Sequence, residues 1–127
     1  MAALDANVLV RLLVADDVAQ TKRAEVFLEA RRPVWISTVV LVETVWVLTT
    51  VYRWSKPQIL AMLHIATSSR DFAFQSVASV RAAVNLYVSS KADFSDCLAL
   101  ELARAEGRVP FATFNKATAK FPDAVIP

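Results

Sequence analysis

The chain has 127 residues, of which 56% are hydrophobic and 20% are charged, and this size fits one domain around a single core. One glycine and five prolines exclude a low-complexity chain and argue against an all-β fold, which needs many turns. The formal net charge of +2 is too small to predict nucleic-acid binding by itself. The single cysteine excludes an internal disulfide and, with no basic segment near the N-terminus, favours a cytoplasmic protein without a signal peptide.

Hydrophobic periodicity and capping residues predict short strands that alternate with helices. Asn7 is expected to cap the first helix, Asp17 to open a second helix that stops before Pro33, and Ser55 to begin a fourth. Gly107 is expected to close the last helix. The predicted strands cover residues 2–5, 34–37, 72–75 and 109–114; the other predicted helices cover 8–14, 39–51, 58–67, 77–88 and 94–106, and a polar turn covers 115–120.

The segment from residue 33 to residue 52 has the length of a bilayer span and only one charge, Glu43. A carboxylate at mid-span costs roughly 2.5–3.5 kcal/mol to insert, and the chain has no second segment of this kind. We therefore expect a buried strand and a buried helix here, and no membrane partner.

Strands separated by helices are typical of a parallel sheet that helices cover. We therefore expect an α/β fold with one domain over residues 1–127 and a parallel sheet of about four strands. In such sheets the functional cleft lies at the carboxyl ends of the strands. This rule brings together Asp5, the turn at Ser37 and the turn from Thr113 to Asn115.

Four acidic residues stand out by their surroundings: Asp5, Glu43, Asp93 and Asp96. Each also has a structural explanation. Asp5 could form an Asx turn, and Asp93 could cap the following helix with Asp96 in its first turn. Glu43 lies in a helix that is apolar on every face, so it needs a partner such as Arg11, or a ligand.

Carboxylates that converge in a cleft repel one another unless a cation lies between them. Ligands that are all oxygens favour Mg²⁺ or Mn²⁺, since zinc sites usually include His or Cys. His64 and Cys97 are expected to pack rather than to bind a metal. Metal ions held by carboxylates are typical of phosphoryl chemistry, so the sequence predicts hydrolysis of a nucleic acid or a phosphoester.

At these residues the chain resembles PIN-domain ribonucleases, specifically the VapC-type toxins of bacterial and archaeal toxin–antitoxin pairs. The resemblance covers nearly the whole chain. The segments that carry it are LDANVLV at 4–10, IST at 36–38 with VE at 42–43, ADFSDCLA at 92–99 and ATFN at 112–115. Their order and spacing in a chain this short are specific to the family.

The resemblance implies an endoribonuclease whose partners are an RNA substrate, an antitoxin protein that blocks the site, and a second copy in a homodimer. The residues implied to hold Mg²⁺ or Mn²⁺ are Asp5, Glu43 and Asp96, with Asp93 assisting directly or through water. Asn7 and Thr113 would orient these ligands or a water molecule without contacting the ion themselves.

Asn115 departs from the family pattern, which often has Asp at this place. Because an amide brings no charge, a second metal is expected to bind more weakly, or only with substrate present. One alternative is therefore a catalytically weak or inactive PIN-like module that binds RNA or protein. The other is structural, with Asp5 and Asp93 as caps and Glu43 paired with an arginine.

Overall fold

A computed structural model describes residues 1–127, and the chain divides into two units, Met1–Gln75 and Ser76–Pro127. The predicted α/β class and the parallel pairing of strands are confirmed. Four strands are present, but each is only two or three residues long, and they form one parallel pair in each unit instead of one continuous sheet. The expectation of a single domain over residues 1–127 stays a prediction.

The first unit contains four helices and one pair of strands. In chain order these are α1 (Ala6–Val14), α2 (Val18–Arg31), β1 (Val34–Ile36), α3 (Thr38–Thr50), α4 (Lys56–Ser68) and β2 (Phe72–Phe74). Strand β1 pairs with β2 so that Val34 lies opposite Phe72 and Ile36 opposite Phe74. Val34 and Ile36 are completely buried, so β1 lies in the core of this unit.

Side-chain caps set the helix starts of the first unit largely where the sequence predicts them. Asp17 accepts a hydrogen bond from the backbone of Gln20 at 3.0 Å at the start of α2. Ser55 and Gln58 form a reciprocal capping box at the start of α4. Ser37 accepts from the backbone of Val40 at 3.1 Å, and α3 therefore begins one residue earlier than expected.

Two predictions for the N-terminal segment are wrong. Residues 2–5 form no strand, and a single parallel bridge joins Ala3 to Trp35. Helix α1 begins at Ala6, and its N-cap is Asp5, not Asn7. A carboxylate caps a helix as well as an amide does, so the sequence contained two equally good candidates for this position.

The apolar segment from residue 33 to residue 52 folds as β1 and α3, and no helix of the structure is both long and apolar enough to cross a bilayer. The prediction of a buried helix over residues 39–51 is correct for one face of α3 only. Glu43 is exposed, and Val39 and Trp46 retain 74% and 62% of their accessible surface. The buried face is formed by Leu41, Thr44, Val45 and Leu48.

The second unit consists of two helices followed by a short pair of strands. In chain order these are α5 (Val77–Val88), α6 (Phe94–Ala105), β3 (Phe111–Ala112), a 3₁₀ turn (Thr118–Lys120) and β4 (Ala124–Val125). Tyr87 of α5 packs edge-on against Phe94 of α6, with ring centroids 5.9 Å apart. This contact fixes the first turn of α6, where two of the candidate acids lie.

The C-terminal part of the second unit is held against α6 by an ion pair and a hydrogen bond. Gly107 has a φ of 68°, so it closes α6 in the left-handed conformation expected of it. Strand β4, which the sequence analysis does not predict, pairs in parallel with β3. Arg104 of α6 forms an ion pair with Asp123 and donates a hydrogen bond to the carbonyl of Pro122. These contacts hold the start of β4 beside α6.

Candidate active site

Asp5 lies between the Ala3–Trp35 bridge and the first residue of α1. Its Oδ1 atom accepts a hydrogen bond from the backbone N–H of Ala6 at 2.6 Å. The residue is exposed, and no Lys or Arg forms an ion pair with it. The capping explanation therefore accounts for one oxygen of Asp5 and leaves the other available for a ligand.

Glu43 lies on the exposed face of α3 and takes part in no ion pair. The proposed pairing with Arg11 is wrong, because that guanidinium is occupied elsewhere. It contacts Asp16 at 2.8 Å, Gln20 at 2.6 Å and the Tyr52 hydroxyl at 3.1 Å. The structural explanation of Glu43 thus loses the partner proposed for it.

Asp93 and Asp96 lie at the start of α6. Asp93 has the extended backbone of an N-cap, but its side chain makes no capping hydrogen bond. Asp96 is half-buried in the first turn of the helix. Its pKa is raised above the usual value, mainly by burial and then by the charge of Asp93, while a hydrogen bond with Thr118 acts in the opposite direction. The two carboxylates are therefore close enough to repel each other.

The polar turn after β3 is closed by side-chain hydrogen bonds. The Thr113 hydroxyl accepts from the backbone N–H of Asn115 at 3.0 Å. Asn115 in turn accepts from the backbone N–H of Thr118 at 3.0 Å, and the Thr118 hydroxyl lies 3.2 Å from the same oxygen. Thr118 is completely buried and also bonds to Asp96, so it links this turn to the acidic start of α6.

Sequence analysis missed Thr118, which lies within the predicted polar turn. The signal that points to it is its spacing from Asn115, since an Asn side chain commonly accepts from the backbone N–H three residues later at the start of a helical turn. Asn7 lies exposed in the first turn of α1, and Thr113 acts through the backbone of Asn115.

The hydrogen bonds of Asn115 bear on the second metal ion, which is expected to bind more weakly because this position has no charge. Its Oδ1 atom is approached by both the nitrogen and the hydroxyl oxygen of Thr118. An amide oxygen has two lone pairs, and the remaining polar atom of the side chain, Nδ2, is a donor. Asn115 is therefore a weak ligand for a cation. Its main role in the structure is to cap the 3₁₀ turn.

The predicted ligands divide between the two units. Asp5 and Glu43 belong to Met1–Gln75, and Asp93 and Asp96 belong to Ser76–Pro127. No group of three or more Asp, Glu, His or Cys side chains is close enough to hold a metal ion. The joint site of four acids stays a prediction. None of the four is paired with Lys or Arg; the acids in ion pairs are Asp16, Asp71, Glu101 and Asp123.

A family model for the PIN domain matches residues 2–124, which is nearly the whole chain. The chain belongs to the PIN domain family. PIN domains are generally nucleases, and those nucleases usually use divalent metal ions. No curated protein and no solved structure matches this PIN domain significantly.

Proposed function

We propose that this PIN domain is a divalent-metal-dependent endoribonuclease that serves as the toxin of a toxin–antitoxin pair. The observation that carries the proposal is that none of its four candidate acids forms an ion pair. Asp5, Glu43, Asp93 and Asp96 have no cationic partner, although the chain has 14 Lys and Arg residues. In a family of nucleases that usually use divalent metal ions, acids that no Lys or Arg neutralises are available to bind such an ion.

The donor set fits Mg²⁺ or Mn²⁺, because it consists of oxygens alone. Asp5, Glu43 and Asp96 would hold the ion, with Asp93 assisting. When bound, the ion would lower the pKa of a water molecule and neutralise charge on the phosphate oxygens of RNA. The raised pKa of Asp96 beside Asp93 is consistent with this role, since a cation relieves repulsion between like charges.

Other residues would orient the ligands without binding the ion themselves. The buried Thr118 hydroxyl, whose hydrogen bond lowers the pKa of Asp96, would help to orient that carboxylate. Thr113 holds the turn that carries Thr118, through its bond with the backbone of Asn115. Asn7, exposed on α1, would orient a ligand or a water molecule near Asp5.

We expect one metal ion to be bound rather than two. The amide oxygen of Asn115 is engaged by Thr118 and brings no charge, so a second cation lacks the acid that commonly holds it. One-metal hydrolysis is thus the mechanism that these residues favour. Titration of the protein with Mn²⁺ in a calorimeter measures this stoichiometry directly.

The test of the proposed function is the substitution Glu43→Gln, with Glu25→Gln as its matched control. Both glutamates are exposed on helices of the first unit and neither forms an ion pair. Each substitution is therefore expected to change the free energy of unfolding by less than about 0.5 kcal/mol. Glu43→Gln should slow Mg²⁺-dependent cleavage of single-stranded RNA by about 100-fold or more, since several kcal/mol of charge stabilisation depend on the ion.

The result is read against Glu25→Gln, purified in the same way, which should cleave as the wild type does. Equal cleavage by all three proteins would refute the proposal, because a contaminating nuclease or another site would then be responsible. Expression in bacteria tests the toxin role: the wild type should arrest growth, Glu43→Gln should not, and a co-expressed antitoxin should restore growth. Gel filtration tests the expected homodimer.

The alternative function is a PIN-like module that binds RNA or protein without cleaving it. The engaged amide of Asn115 is the observation that favours it. In that case the wild type would bind RNA with no cleavage in Mg²⁺ or Mn²⁺, and Glu43→Gln would bind it equally well.

A further inference from the structure

The turn after β3 carries the most exposed aromatic ring of the chain. Phe114 keeps 80% of its accessible surface, more than any other aromatic residue. It takes part in no contact with another aromatic ring or with a cation. Because the ring fills no part of the core, it is open to a ligand.

The segment around this ring is positively charged. Residues 107–122, called the basic segment below, contain Arg108, Lys116 and Lys120 and no Asp or Glu. All three cations are exposed, and none of them forms an ion pair. The next acid along the chain, Asp123, is paired with an arginine of α6. Three unneutralised positive charges in one short segment favour a polyanion as the ligand.

Hydrogen bonds hold the turn that carries Phe114 in a defined shape. The Thr113 hydroxyl accepts from the backbone N–H of Asn115 at 3.0 Å, and the backbone carbonyl of Asn115 accepts from the N–H of Ala119 at 2.9 Å. The Asn115 side chain accepts from the N–H of Thr118 at 3.0 Å. Little conformational freedom of the backbone is therefore lost when a ligand contacts the ring.

We propose that the basic segment is a contact site for single-stranded RNA, in which a base stacks on Phe114 while Lys116 and Lys120 bind phosphates directly. This inference rests on the proposed function, which supplies RNA as the ligand. Phe114 and Lys116 are two residues apart, so their Cα atoms lie within about 7 Å of each other and can contact neighbouring parts of one strand. Proteins commonly hold single strands by combining a cationic surface with aromatic side chains on which bases stack.

The surroundings of the ring favour RNA over a protein as its ligand. The residues that flank Phe114 along the chain, Thr113 and Asn115, are polar, whereas the centre of a protein interface is typically apolar and poor in charge. Thr118 of the same segment makes a hydrogen bond with Asp96 of α6. A strand on the basic segment would thus lie near one of the candidate acids, although its affinity would come from the ring and the lysines.

The experiment measures binding of a short fluorescent single-stranded RNA by anisotropy in EDTA, over a series of salt concentrations. EDTA prevents metal-dependent cleavage, so the affinity is measured without any contribution from a metal ion. Phe114→Leu removes the ring but keeps an apolar side chain, and Phe114→Tyr keeps a ring. Lys116→Gln removes one charge, and its matched control is Lys22→Gln, because Lys22 is also exposed and in no ion pair. Thermal unfolding checks that every variant is folded.

Phe114→Leu is expected to weaken binding of the single strand by about 5- to 100-fold, the range for loss of one stacked base, and Phe114→Tyr should bind within about 2-fold of the wild type. Lys116→Gln should reduce the slope of log affinity against log salt by about 0.7, the value for one phosphate contact with a single strand. Lys22→Gln should leave this slope unchanged. In Mg²⁺, Phe114→Leu should raise KM for cleavage with little change in kcat, because the ring positions the RNA and takes no part in bond cleavage.

The inference is overturned if the wild type does not bind the RNA in EDTA, or if Phe114→Leu binds it as tightly as Phe114→Tyr. Equal salt slopes for Lys116→Gln and Lys22→Gln would also overturn it. If Phe114→Leu changes only the elution volume in gel filtration, the ring belongs to an interface with a second copy of the chain, and the inference is wrong.

Failure of the proposed function is a separate result. RNA binding in EDTA that depends on Phe114, without cleavage in Mg²⁺ or Mn²⁺, refutes hydrolysis and supports the contact site. Cleavage that Glu43→Gln abolishes but Phe114→Leu leaves unchanged supports hydrolysis and refutes the contact site.

Discussion

Replacing Thr118 with valine tests whether the turn after β3 controls the acid at the start of α6. The substitution removes one hydroxyl from a completely buried side chain and nearly keeps its shape. The hydroxyl has a single proton, so it serves one acceptor at a time, and the ionised carboxylate of Asp96 is a stronger acceptor than the amide oxygen of Asn115. The backbone bond from Thr118 to Asn115 remains in the variant.

The expected loss of stability depends on pH. A hydrogen bond to a charged group contributes about 1.5–3 kcal/mol, and one between neutral groups about 0.5–1.5 kcal/mol. The bond lowers the pKa of Asp96, so its stabilising effect is present when the carboxylate is ionised and is lost as the pH falls through the titration of Asp96. At neutral pH the Tm of the variant should fall by roughly 6–12 °C, and in acid by about a third to a half of that.

The assay is thermal unfolding of both proteins across a pH series, together with a carbon NMR titration of the Asp96 carboxyl. The variant should show a higher pKa for Asp96 than the wild type. Thr44→Val is the matched control, because Thr44 is also completely buried but donates to the carbonyl of Val40 in its own helix, at 2.7 Å. Its loss of stability should not vary with pH. An unchanged Asp96 titration in Thr118→Val, with the same loss of Tm at every pH, would refute the reasoning.

Three further predictions concern single side chains. The raised pKa of Asp96 means that its ionisation destabilises the fold, so the free energy of unfolding falls as the pH rises above the ordinary Asp value of 3.8. Asp96→Asn should therefore stabilise the protein at neutral pH but not well below pH 3.8, which urea unfolding at neutral and at acidic pH checks. Asn115→Asp should raise the Mn²⁺ stoichiometry in calorimetry from one to two, since it replaces a donor with a charged acceptor, and an unchanged value would show that this position does not limit metal binding. Ser55→Ala should lower the free energy of unfolding by about 1 kcal/mol at all pH values, because it removes one side of the capping box at α4, and a loss below about 0.3 kcal/mol in urea unfolding would count against that role.

Local signals predicted most helix boundaries because they act within a few residues. Ser55, Asp17 and Gly107 set helix ends through their own side chains or backbone conformation, and none of them depends on distant contacts. The strands were harder to predict. β3 and β4 have two residues each, and β4 is held in place by Arg104 of α6, which no local pattern indicates.

The sequence names the candidate acids, whose role as a site stays a prediction, but it does not indicate the surroundings of each acid. The sequence identified Glu43 as a lone charge in an apolar helix, yet composition could not say which face of α3 turns outward. Likewise, Asp5 and Asp93 read equally well as caps, and the structure assigns a capping bond only to Asp5. Thr118 could not be predicted because its role depends on its burial, and the sequence of a polar turn does not indicate which of its side chains is buried.

The capping bond at the start of α1 limits how Asp5 can serve a cation. Oδ1 already accepts a hydrogen bond from the N–H of Ala6 at 2.6 Å, so it has one lone pair left, whereas both lone pairs of Oδ2 are free to coordinate. Small octahedral ions such as Mg²⁺ accept single-oxygen carboxylates, whereas the larger Ca²⁺ often draws on both oxygens to reach seven or eight ligands. The cap at the start of α1 would in this way favour coordination through a single oxygen, which suits the smaller ion better than the larger one.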